Sequence, residues 1–69
     1  MLFSIGDLFF KKYNKNIGIL INCHYSVYYP YLIKWIARNE PISYQESTLK
    51  SVIHSKEWKH YPVKKYDCF

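Results

Sequence analysis

Few side chains in this sequence are of types that do chemistry, and their spacing limits what that chemistry is. The metal-ligating candidates are Cys23, His24, His54, His60 and Cys68. No C-x-x-C or H-x-x-x-H pair occurs among them. Cys23 and His24 are adjacent, and on an extended segment they point to opposite faces, so they make neither a shared ligand set nor a thiolate–imidazole pair. The expectation is no metal and no cofactor. Nucleophilic catalysis fares no better: there is no nucleophile elbow, no glycine-rich phosphate loop, and no two of the five Asp and Glu residues pair within one segment. The sequence predicts a protein that is not an enzyme and takes no small-molecule substrate.

Binding chemistry is better represented. Lysines and aromatics interleave at Lys11, Lys12, Tyr13 and Lys15, and again over residues 56–66. Single-strand binders combine cations that follow the phosphates with rings that stack on bases. Lys11, Lys12, Lys15, Lys56, Lys59, Lys64 and Lys65 are therefore the candidate nucleic-acid-binding residues. The competing reading is a solvated basic face that guards strand edges. Arg38 is the one arginine, so bidentate base reading is not expected. Tyr25, Tyr28, Tyr29 and Tyr31 cluster in a short stretch. A ring cage for a methylated cation would want acidic neighbours, which are missing there, so a protein-contact surface is the preferred reading. Trp58, Tyr61 and Phe69 join these tyrosines as candidate protein-interaction residues. The expected partner is another protein, a second copy of the chain included, with nucleic acid as the alternative.

The elements that position these groups follow from alternation and turn residues. Sixty-nine residues make one small domain, which buries about 60% of its unfolded surface and so has a thin core. Aromatic residues are 20% of the chain, more than such a core needs, and the formal net charge of +5 favours acidic partners. In residues 5–12, Leu8 and Phe10 share one strand face and Phe9 and Lys11 the other. Polar residues 13–16 make a hairpin connection to residues 17–24, where Ile19, Ile21 and Cys23 oppose Leu20 and Asn22, with Gly18 marking a bulge or a close approach. After the tyrosine-rich loop of residues 24–30, residues 31–36 set Tyr31, Ile33 and Trp35 against Leu32, Lys34 and Ile36. A short strand over 42–45, one helical or 3-10 turn over 46–49 capped by Glu46, and a last strand over 49–53 complete a small five-stranded antiparallel barrel. Residues 1–55 form this barrel, and residues 56–69 a C-terminal extension, partly packed on it through Trp58 and Val63. Two cysteines are no disulfide framework, and whether Cys23 meets Cys68 stays open. No signal peptide is evident, and the apolar run at 17–21 is far short of the roughly 20 residues of a membrane helix, so the reading is intracellular with no membrane partner.

These segments carry a resemblance. Ile5, Gly6, Asp7, Leu8, Phe9 and Lys11, then Ile17 through Ile21, then Leu32, Ile33, Lys34 and Trp35, then Tyr44, Gln45, Glu46 and Leu49, form an ordered series. Over roughly residues 3–53 it resembles the plan of the small SH3-like barrel proteins of tailed bacteriophages, and its first two segments are similar to the opening of KOW and Tudor-type barrels. The resemblance implies an SH3-like barrel with a short 3-10 turn, acting as a protein-interaction or virion-structural module. A virion subunit or a host factor is then the partner, and host cytoplasm or virion the location. The tyrosine-rich insertion and the basic-aromatic extension depart from that plan.

Overall fold

The computed structural model describes residues 3–63. Its elements are β1 (Leu8–Lys11), β2 (Asn16–Asn22), β3 (Tyr31–Trp35), β4 (Ile42–Tyr44), α1 (Glu46–His54) and β5 (Trp58–Tyr61). The strands make one antiparallel sheet in the order β4-β3-β2-β1-β5. A short polar turn joins β1 to β2, the tyrosine-rich loop joins β2 to β3, and residues 36–41 join β3 to β4, all as antiparallel neighbours allow; α1 then carries the chain to the far edge beside β1.

Alternation sets which side chains meet. Phe9 and Leu20 are fully buried, whereas Leu8, Ile17, Ile19 and Ile21 on the opposite face are 40–43% exposed. On β3 the inward residues are Tyr31, Ile33 and Trp35, all in the core. Gly18 stands opposite Trp35 in the register. A Cβ added there would lie 2.6 Å from Ile33 Cγ2 and 2.6 Å from Trp35 Cε3, so the bare backbone is what lets the indole lie against β2. The close approach expected at Gly18 is present, and the register irregularity falls further on, between Leu20 and Asn22.

Aromatic rings fill the core edge to face. Tyr31 meets Phe3 (5.3 Å between centroids), Phe3 meets Phe9 (5.7 Å), Phe9 meets Trp58 (6.4 Å) and Trp58 meets Trp35 (5.0 Å). Each such pair adds about 1 kcal/mol beyond the area it buries. Trp35 Nε1 donates to Tyr44 Oη at 2.9 Å, so the fully buried indole leaves no polar atom unpaired.

Several expectations are corrected. The sheet is not a closed barrel: β4 and β5 are its two edges. The expected 3-10 turn is the start of a nine-residue α-helix, and residues 49–53 belong to that helix rather than to a strand. Leu49, Val52 and Ile53 recur at three and four residues, which gathers them on one helix face against the core, whereas a strand would have grouped Leu49 with Ser51. The fifth strand lies later, and Trp58 is a buried core residue. Glu46 is the first helical residue and not the cap; Gln45 precedes the helix and makes no side-chain cap bond.

One carboxylate closes the arrangement. Asp7, 2% exposed, follows a tight turn in which its amide donates to Ser4 O (3.0 Å) and its Oδ2 accepts from Ser4 N (3.1 Å). Its Oδ1 accepts from Val63 N at 2.8 Å, and His60 Nε2 lies 2.7 Å from Oδ2. Burial pushes this carboxyl up, but the hydrogen bonds from Val63, His60 and Ser4 outweigh it and hold the group below the ordinary carboxylate value.

Two consequences are measurable. Gly18→Ala forces Trp35 and Ile33 apart and should destabilise the protein by about 2 kcal/mol in urea unfolding, with loss of the near-ultraviolet tryptophan signal. An unchanged midpoint would refute the close packing. Because the folded Asp7 pKa is lowered, its contribution is complete above the unfolded carboxylate pKa of about 4 and is lost as pH falls through the folded value. Asp7→Asn should therefore flatten the acid limb of stability against pH and start about 2–3 kcal/mol lower at pH 7. Matching acid limbs in the two proteins would count against the clasp.

Candidate interaction surfaces

The 24–30 loop leaves the end of β2 and returns to β3 under local hydrogen bonds. Asn22 Oδ1 accepts from His24 N (2.8 Å), Tyr25 N donates to Pro30 O (2.9 Å), and Ser26 Oγ both accepts from Tyr29 N (3.0 Å) and donates to Tyr29 O (3.1 Å). Serine and asparagine bond readily to nearby backbone in this way. The loop is thereby ordered while its apolar side chains point outward: Val27 is 90% exposed and Tyr28 76%, with Tyr25 and Tyr29 also exposed. An open cavity of about 490 Å³ lies between this loop and the start of α1, where Glu46, Cys23 and His24 supply polar groups.

Of the sequence-predicted interaction residues, Tyr25, Tyr28 and Tyr29 are exposed on this one loop. Tyr31 does not join them, because it faces the core, where its hydroxyl donates to Glu46 Oε1 at 2.9 Å. Burial, reinforced by that carboxylate, pushes its pKa up to about 12. Trp58 is likewise withdrawn from the surface by its packing on Trp35 and Phe9. Tyr61 is exposed but stands on β5, beside Leu8 of β1. Phe69, Lys64, Lys65 and Cys68 lie outside the described residues.

The lysines separate in the same manner. Lys11 Nζ lies 4.3 Å from the Trp35 ring centroid and 5.2 Å from that of Trp58, so its charge covers the two indoles rather than reaching into solvent. Burial, aided by Arg38, lowers its pKa. Lys12, Lys56 and Lys59 line one groove along β5, whereas Lys15 lies by a different cavity at the β1–β2 hairpin, with Ile36 and Ala37.

The outward face of the sheet was not recognised as a surface from sequence. Across it run Tyr61, Leu8 and Ile19 in register, then Phe10 beside Ile17. The alternation was legible, but not which of the two faces turned inward. Among the described residues no three His, Cys, Asp or Glu side chains gather as a metal site, and no helix is long and apolar enough to cross a membrane. Compared with known protein families, with curated proteins and with solved structures, the chain matches none.

Proposed function

We propose that this protein is a non-enzymatic interaction module of the SH3-like type, which docks on another protein through its 24–30 loop. The observation that carries the reading is the pairing of exposure with order: Tyr25, Val27, Tyr28 and Tyr29 face solvent on a loop already tied by its own hydrogen bonds. Tyrosine gives large contact area at low rotamer cost, and a pre-ordered loop loses little entropy on binding. The SH3-like reading is supported by a strand order in which β5 returns beside β1 after a helical link from β4. With the series from Ile5 to Leu49, it makes a virion subunit or host factor of a tailed bacteriophage the partner of this reading, in the particle or the host cytoplasm.

A photo-crosslinking residue at position 28, placed in the protein in its native host, identifies the partner. Tyr28→Ala with Tyr29→Ala should then weaken binding of the purified pair by about 10- to 100-fold, with little change in melting temperature. Affinity should hardly depend on salt, since exposed rings rather than ion pairs carry it. Failure to crosslink any protein, or undiminished affinity in the folded double variant, overturns the reading.

A further inference from the structure

We propose a second binding site, on a different surface from the loop: the groove along β5 takes a single-stranded nucleic acid by its phosphates. Lys12, Lys56 and Lys59 come from the β1–β2 hairpin, the α1–β5 turn and β5, and the fold sets them around one groove of about 460 Å³. Two contacts hold that geometry: Lys12 N donates to Glu57 O at 3.2 Å, and Lys59 pairs with Phe10 in the β1–β5 ladder. Tyr61, half exposed, lines the same groove and offers a ring face beside the cations. The carboxylate of the turn, Glu57, is engaged by Ser55 Oγ at 3.0 Å.

The backbone at Lys56 is set by the end of the helix. Helix α1 ends in paired bonds from Lys56 N to Ile53 O (3.0 Å) and from Glu57 N to Val52 O (3.1 Å), which puts Lys56 in the left-handed region at φ 68°. Glycine is the usual occupant of that position, because a side chain there is strained. A lysine in that place carries backbone strain, and it lines the groove. The hairpin residue Lys15, at φ 59°, shares the conformation but not the groove, and so supplies an internal control. Arg38, the sole arginine, does not line the groove, so recognition rests on charge and ring stacking without base reading.

The test is fluorescence anisotropy of a labelled twenty-nucleotide oligothymidylate with the full chain. Three neutralised phosphates give a salt slope of about −2, so raising salt from 50 to 200 mM should weaken binding about 20-fold. Lys56→Gly should lower that slope to about −1.4 and weaken binding several-fold at 50 mM, while raising the melting temperature by about 3 °C. Lys15→Gly relieves the same strain and removes the same charge, yet should leave affinity within about twofold. The proposal is overturned by absence of binding at 50 mM salt, or by an equal loss in Lys15→Gly, which would mark diffuse charge attraction. Equal affinity for a duplex of the same length, or tighter binding of an oligoglutamate peptide, overturns it as well.

Discussion

The buried carboxylate of Asp7 is where two stretches of chain, residues 4–7 and 60–63, far apart in sequence, are joined. It holds the turn beginning at Ser4, the ring of His60 on β5 and the amide of Val63 beyond it. Without such a joint the last strand would depend on a four-residue ladder to β1. That strand also carries Trp58, which closes one side of the core, so the acceptor at position 7 and the packing at position 58 support each other. A buried charge is costly unless hydrogen bonds satisfy it; here both oxygens have partners, and the pKa is lowered in spite of burial. In a domain with so little interior, this coupling between a polar joint and an aromatic wall makes the C-terminal strand part of the fold.

The same scarcity of interior explains how the aromatics divide. Few aliphatic side chains are fully buried, and Phe3, Phe9, Tyr31, Trp35 and Trp58 supply most of the volume, meeting at steep angles that suit their charge distribution. Trp35 fits only because Gly18 has no side chain, and its indole N–H has Tyr44 to bond. Once that column is complete, Tyr13, Tyr25, Tyr28, Tyr29 and Tyr61 have no room inside. Their exposure is thus a consequence of core size, and the hydrogen bonds of the 24–30 loop turn a surplus of rings into an ordered surface.

How far the sequence disclosed this follows from what its local signals encode. The two-residue period divided Phe9 from Leu8 and Leu20 from Ile19 correctly, and the first four strands fall where alternation and turns put them. Period alone does not say which face is inward, and β-branched isoleucines would suggest the wrong one; the glycine and the large rings decide it by shape. Helix α1 was curtailed because its end carries no glycine: Lys56 takes the left-handed position, which removes the usual stop signal, and Val52 and Ile53 have strand-forming side chains. Misplacing the last strand followed, although the packing expected of Trp58 on the rest of the domain is present. The tyrosine loop was legible because its residues are contiguous. The groove was not, since Lys12 meets Lys56 and Lys59 only through the β1–β5 pairing.

Topology also keeps the two surfaces apart. The 24–30 loop lies at the end of the sheet where β2 finishes and β3 begins, while the β1–β2 hairpin and the α1–β5 turn, with Lys12, Lys15 and Lys56, lie at the opposite end. Between them the outward sheet face is apolar, and the only charged residues the register gives it are Lys34 and Lys59. Two copies meeting by this face would bring no opposite charges together, and would set Lys34 and Lys59 against an apolar surface. Among the described residues, Lys12, Lys15 and Lys56 thus gather at the end of the molecule that the tyrosine loop does not occupy.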